Sequence, residues 1–168
     1  MKTLILLRHA KSSWSDPFLD DFDRPLNKRG RLNAPEMGKR LRMINMIPDT
    51  VIASPAARAA ATAIHACESM GYPKEEIIWE RDLYHASAST IWHIIRQYAS
   101  GDKVMVVSHN PGLNSIAYQM GLSVGNIPTA GILSVNFSVK DWSKVGPEVA
   151  RLDFFDFPKN KGKVIRQL

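Results

Sequence analysis

Two histidines in this 168-residue chain stand at the ends of short apolar runs: Leu4–Leu7 leads into Arg8-His9, and Val104–Val107 leads into Ser108-His109-Asn110. Four apolar residues in a row suit a strand buried on both faces. The C-terminal ends of such strands are where open α/β sheets place ligand sites. Histidine is the side chain most readily neutral and nucleophilic near neutral pH, its ordinary pKa being about 6.5. A neutral imidazole can attack phosphorus and carry the phosphoryl group as a covalent intermediate. Arginine supplies fixed, always-charged donors matched to phosphate oxygens. Arg8 adjoins the first histidine. Arg58, in Ser54-Pro55-Ala56-Ala57-Arg58, falls in the first turn of a helix that follows a strand, where free backbone N–H groups would join its guanidinium. His109 can donate a hydrogen bond to phosphoryl charge as it develops. Each residue also has a plainer explanation: His9 closing a strand with Arg8 paired to an Asp of the next loop, Arg58 solvated, His109 bonded to backbone. The pattern recurs at three strand ends, and that recurrence favours a phosphate-handling site.

The elements that must position these groups follow from periodicity and punctuation. Strands are expected at Thr3–Leu7, Thr50–Ala53, Ile77–Trp79 and Lys103–Val107, with Ser15–Asn27, rich in Asp and Pro, as a loop. Leu32, Met37, Leu41 and Ile44 recur at near-helical spacing and predict a helix over Lys28–Met46, with Pro35 in or near its first turns. Ser54 as cap and Pro55 at the first position open an alanine-rich helix to Met70, which Gly71-Tyr72-Pro73 ends. Ser89 or Thr90 caps a helix through Tyr98, and Leu113–Met120 forms another. Beyond Gly121, Ile132–Val139 and Val149–Phe157 alternate apolar and polar residues, as an antiparallel pair with one wetter face does. Strands alternating with helices, then an antiparallel end, predict a three-layer α/β/α domain with a mixed sheet, spanning 1–168 as one unit.

Composition narrows the setting. Apolar residues make up 45% and charged residues 23%, the balance of a soluble globular protein. The only cysteine, Cys67, cannot form an internal disulfide, which fits a reducing compartment. Arg8 cuts the first apolar run far short of a signal-peptide core, and no stretch approaches a membrane span. The expectation is a cytoplasmic protein with no membrane partner. The net charge is +6, with clusters at Lys28-Arg29-Gly30-Arg31 and at Lys159, Lys161, Lys163 and Arg166. Such surfaces favour anionic partners, though a cluster alone is more often a solvated face. No groove-reading motif or aromatic-basic platform accompanies them, so no nucleic-acid partner is expected.

The chain resembles the histidine phosphatase superfamily, also called phosphoglycerate mutase-like, and closely its SixA-type phosphohistidine phosphatases. The matching residues are Leu7-Arg8-His9-Ala10-Lys11-Ser12-Ser13-Trp14, Asp23-Arg24-Pro25-Leu26, Arg29-Gly30, Ser54-Pro55-Ala56-Ala57-Arg58-Ala59, Leu83-Tyr84 and Ser108-His109-Asn110, with Thr129-Ala130-Gly131 before a late strand. They occur in order over nearly the whole chain. The resemblance implies a mixed, mostly parallel six-stranded sheet between helices, His9 as the nucleophile that becomes phosphohistidine, and Arg8, Arg58 and His109 as the pocket that binds phosphate and stabilises the transition state. It implies neither a metal nor a cofactor.

Three departures bear on substrate. Ala10 stands where most members have Gly, as is usual in the SixA-like subgroup. Ser15, a candidate substrate-binding residue, stands where many mutases and ester phosphatases have an asparagine. His85, after Leu83-Tyr84, stands where ester-cleaving relatives have the glutamate that acts as general acid, so His85 is either a weaker acid or a residue of the rim. An alkoxide leaving group needs protonation, whereas phosphohistidine departs more easily. There is room for only one helix between His85 and the strand before His109, and no inserted lid, so an open pocket is expected. A phosphorylated protein, such as a histidine-phosphotransfer domain, is the expected partner. The alternatives are a small phosphorylated molecule cleaved as an ester, and a phosphoprotein-binding module without turnover. His65 and His93 are expected to be structural. Of the tryptophans Trp14, Trp92 and Trp142, expected to pack, only Trp14 is placed near the site.

Overall fold

The computed structural model describes residues 1–161 and the backbone of 165–166. Seven strands form one sheet: β1 (Lys2–Arg8), β2 (Thr50–Ala53), β3 (Ile78–Trp79), β4 (Lys103–Ser108), β5 (Ile132–Phe137), β6 (Ala150–Asp156) and the two-residue β7 (Ile165–Arg166). Their order is β3-β2-β4-β1-β5-β6-β7. The first four strands pair in parallel, and β5, β6 and β7 add on antiparallel, so β1, β2, β3, β4 and β6 point the same way. The six expected strands are present, with β7 as an addition at the edge. The helices are α1 (Lys28–Met43), α2 (Ala57–Met70), α3 (Ala88–Tyr98) and α4 (Gly112–Gln119).

The central strand β1 explains the layering. Leu4, Ile5, Leu6 and Leu7 are fully buried, and successive side chains point to opposite faces of the sheet. Leu4 and Leu6 pack with Ile91, Ile95, Leu113 and Ile116 of α3 and α4. Ile5 and Leu7 pack with Met37 and Leu41 of α1 and with Ala59, Ala63 and Ala66 of α2. Two apolar layers on one sheet make the α/β/α sandwich. Among the described residues no helix is long and apolar enough to cross a membrane.

Three local expectations change. The α1 helix starts at Lys28, with the Asn27 side chain accepting from the Gly30 N–H and Pro35 inside it. Leu32 does not join its buried face and is 65% exposed. Gly30, Ala34, Met37, Gly38 and Leu41 form that face instead, because a Cβ on Gly38 would lie 2.2 Å from the Ala66 carbonyl oxygen of α2. The α3 cap is Ser87, whose hydroxyl accepts from the Thr90 N–H, rather than Ser89 or Thr90. The expected wetter face of β5 is drier than expected: Ser134 is fully buried and donates to Asp153, while Asn136 is half-buried. The expected roles of Lys163 and Arg166 in the basic tail lie outside the described side chains.

Candidate active site

Strands β1, β4 and β2 end side by side, and their last residues carry the expected groups. Arg8 pairs with Ser108 in the β1–β4 register, and the His9 N–H donates to the Ser108 carbonyl. His9 and His109 therefore follow neighbouring strands, and their rings lie 5.2 Å apart between centroids. Both are about 93% buried, as is Arg58 in the first turn of α2. Thr62, one turn further on, donates to the Arg58 carbonyl and accepts from the Ala10 N–H. That hydroxyl fastens α2 to the segment after His9, bringing the strand-end histidine and the helix-start arginine together.

The hydrogen bonds fix the tautomer of His9 and allow one for His109 in which Nδ1 carries the proton. His9 Nδ1 lies 2.8 Å from the Ala10 carbonyl oxygen, which can only accept. Nδ1 therefore carries the proton, and the Nε2 lone pair is free. His109 Nε2 lies 2.8 Å from Ser54 Oγ, and that oxygen also accepts from the Ala56 N–H. Ser54 has one proton to give. Donating it to Nε2 leaves Nδ1–H of His109 as an unspent donor. Among the described residues, His109 Nδ1 and Arg8 Nε are buried with no protein partner. Buried donors of this kind cost free energy unless a ligand satisfies them.

Ser54 was expected to cap α2. The cap position is held by Ala56, with no side-chain bond, because the Ser54 hydroxyl is engaged by His109.

Both histidines are held neutral. Burial foremost, together with the charges of Arg58, Arg8 and Arg24, lowers His9 to about 4 against the opposing Ala10 bond. Burial, His9, Arg58 and His85 lower His109 to about 3, with Asp21 opposing. Arg8, half-buried, donates to the Ile127 carbonyl at 2.9 Å, not to a loop aspartate. Burial and the nearby Arg58 lower its pKa.

The loop aspartate is Asp21, and its partners are other cations. It meets Arg58 twice, through its carbonyl oxygen at 2.7 Å and through Oδ2 at 3.0 Å. Oδ2 also accepts from the Tyr84 hydroxyl at 2.5 Å, and Oδ1 accepts from Arg24 at 3.0 Å. The Tyr84 bond first, then those from Arg58 and Arg24, hold the Asp21 carboxyl far below the usual carboxylate range. Arg24, itself buried, donates to the Ser13 carbonyl and Ser12 hydroxyl and lies under the Trp14 ring. Tyr84 sets its ring edge-on to His109, 5.5 Å between centroids.

The remaining sequence candidates are less central. His85 is exposed and tilted against Tyr84, 3.9 Å between ring centroids, with a backbone φ of +59°. It reaches the cluster through Tyr84. Ser15 is exposed, and its bonds go to Ser13; the structure does not bring it to the histidines. Trp14, expected to pack, is 74% exposed as a cover on Arg24. Sequence reasoning gave no role to Asp21, Arg24, Tyr84 or Thr62, although Arg24 and Tyr84 stand in the matched motifs. Among the described residues no group of three or more His, Cys, Asp or Glu side chains is placed to hold a metal ion.

Such a cluster can deliver a neutral imidazole lone pair to an anion held among arginines. The model of the histidine phosphatase superfamily (branch 1) matches residues 4–84. An uncharacterized protein of Mycobacterium tuberculosis is 32% identical over 167 residues, covering 91% of this chain and its own whole length. An uncharacterized chloroplastic protein of Arabidopsis thaliana is 30% identical over 125 residues, 69% of this chain and 57% of its own length. Among solved structures, one assigned to the phosphohistidine phosphatase SixA of Agrobacterium tumefaciens superposes with a TM-score of 0.78 at 26% identity. It covers 94% of this chain and 98% of that one.

Proposed function

Since the chain belongs to the histidine phosphatase superfamily, and to its SixA-type branch, we propose that this phosphatase hydrolyses phosphohistidine on a signalling protein through an intermediate on His9. The observation that carries the reading is the pairing of a free His9 Nε2 with buried, unspent donors on Arg8 and His109. In the first step Nε2 attacks phosphorus, an N–P bond to His9 forms, and the N–P bond to the substrate imidazole breaks. That imidazole leaves with the electron pair and takes a proton from solvent. Arg8 and Arg58 hold the non-bridging oxygens, and His109 Nδ1–H donates to the charge that builds on them. Water then attacks the phosphorus of phospho-His9, releasing inorganic phosphate and restoring the imidazole. The arginines remain charged throughout and leave no proton to account for.

A protein substrate is supported by the surroundings of the site. A single helix, α3, lies between His85 and β4, so no inserted lid encloses the pocket. Trp14, Phe18 and Leu19 of the neighbouring loop are exposed, Phe18 by 95%, and clustered exposed apolar side chains mark surfaces that meet macromolecules. The solved SixA structure points the same way. The test is turnover of a phosphorylated histidine-phosphotransfer domain beside a panel of phosphate esters. Phosphohistidine should be preferred in kcat/KM by orders of magnitude. A preference for a small ester would make the chain a small-molecule phosphomonoesterase instead.

A further inference from the structure

A basic groove lies beside the segment that carries His9. A groove of about 420 Å³ runs between the first turns of α1, the loop before β5 and the turn after β6. Its walls carry Arg29, Lys159 and Lys161, and its floor includes Phe157, Pro128 and Pro158. None of the three cations joins an ion pair among the described residues. The groove contains no acidic side chain, and the Asn33 amide and Thr129 hydroxyl that also line it make no bond to another described residue. Polar groups and charges left unspent on a shaped surface are what an anionic partner pairs with.

The groove is fixed in place and begins beside His9. The Arg40 guanidinium donates to Asp156 and to the carbonyl oxygens of Phe157, Pro158 and Asn160, which holds the turn that carries Lys159. Thr129 precedes Ala130, whose N–H is shared between the His9 and Arg8 carbonyls. Arg29 precedes Gly30, where a Cβ would lie 2.2 Å from the Lys11 carbonyl oxygen. Two walls thus stand one residue from direct contact with the segment 8–11.

We infer that this groove docks an acidic segment of the phosphorylated protein whose phosphohistidine enters the His9 pocket. The inference rests on the phosphoprotein reading above. A peptide segment suits the groove better than nucleic acid does, because its floor is apolar and carries no run of aromatic side chains for bases. Carboxylates on the segment would meet the three cations, and its apolar residues the floor.

The experiment compares the whole protein with Arg29→Glu/Lys159→Glu on two substrates, a phosphorylated histidine-phosphotransfer domain and free phosphohistidine. Both positions are exposed, so folding is checked by the far-UV spectrum and by turnover of free phosphohistidine. The charge reversal should lower kcat/KM on the protein at least about tenfold, chiefly through KM, and leave free phosphohistidine unchanged. Added salt should shrink the gap between the two proteins. An unchanged rate on the protein substrate at low salt, or equal losses on both substrates, would overturn the groove as a docking site while leaving the phosphoprotein reading intact. Wild-type protein that ignores the phosphorylated domain but cleaves esters would overturn that reading, and this inference with it.

Discussion

The Asp21 carboxylate lies on the Arg58 guanidinium, Oδ2 to Nη2 at 3.0 Å, so a protein anion occupies donors that a phosphoryl group would use. Arg24 and Tyr84 hold the same carboxylate from other sides. Its depressed pKa keeps it charged at any pH where the protein works. Asp21 therefore sets the orientation of Arg58 and would compete with a phosphoryl ligand for it.

Asp21→Asn should keep the loop in place through the Phe22–Tyr84 ring contact while removing the competing charge. With its carboxylate side open to solvent, an ion pair of this kind is worth about 1 kcal/mol, the upper end of the range for exposed pairs. Inhibition by inorganic phosphate should therefore tighten by up to about fivefold, read as a lower inhibition constant. Weaker phosphate binding in the variant would mean that Asp21 serves Arg58 only as a support.

The second prediction concerns which nitrogen is labelled. Because Nδ1 of His9 is committed to the Ala10 carbonyl, the phosphoenzyme trapped by rapid denaturation should carry phosphate on Nε2, acid-labile and base-stable. Phosphorus NMR distinguishes the two isomers. His9→Ala should lose label and turnover and stay folded. Label on Nδ1 would reverse the tautomer argument.

Ser54 should act through His109. Ser54→Ala leaves a buried imidazole nitrogen unpaired, at about 1–3 kcal/mol in stability, and frees the ring to move its proton to Nε2. Turnover should fall, though by less than the ~10²–10³-fold expected for His109→Ala. Nitrogen chemical shifts should report the changed tautomer, which a merely loosened fold would not produce.

Acid should destabilise the fold through the same two rings. Their folded pKa values, about 4 for His9 and about 3 for His109, lie below the ordinary 6.5. Between those limits the unfolded chain binds more protons than the folded one, so stability rises with pH there. Lowering the pH from 6.5 toward 4 should lower Tm progressively at constant ionic strength, and His9→Ala/His109→Ala should flatten the slope. Imidazole NMR titrations should show His109 neutral across that window and His9 beginning to charge only at its lower end.

The residues that end buried strands were legible in the sequence because the apolar run and the polar stop lie side by side. His9 and His109 are of this kind, Arg58 was legible from the helix that opens after β2, and the structure brings the three into one cluster. Residues chosen by partners far along the chain were not. Asp21 is one of several aspartates in an acid-rich loop, and its partners Arg58 and Tyr84 lie 37 and 63 positions away. The Ser54 hydroxyl looked like a helix cap because local spacing cannot show His109, 55 positions on. Helical periodicity put Leu32 in the core since it weighs apolar side chains. Close contact between α1 and α2 instead selects Gly38, which has no side chain to weigh.

The last prediction separates acid catalysis from shape at His85. Its ring lies tilted against Tyr84, 3.9 Å between centroids, and no hydrogen bond holds it among the described residues, so it stands at the rim with its ring nitrogens unengaged. If leaving-group protonation limits ester cleavage, His85→Ala should lower kcat/KM on an alkyl phosphate more than on phosphohistidine, whose imidazole leaves readily. His85→Glu tests the converse, since it should raise ester turnover relative to His85→Ala. The backbone complicates that variant. At φ +59° a side chain other than Gly, Asn or Asp is strained by about 1–2 kcal/mol, and the Gly112 contact with the Ala86 carbonyl gives the segment little room to relax. His85→Asn, which tolerates this conformation without offering an acid, is the needed control. If His85→Asn keeps both activities and His85→Ala loses both equally, the residue serves the shape of the rim and takes no part in proton transfer.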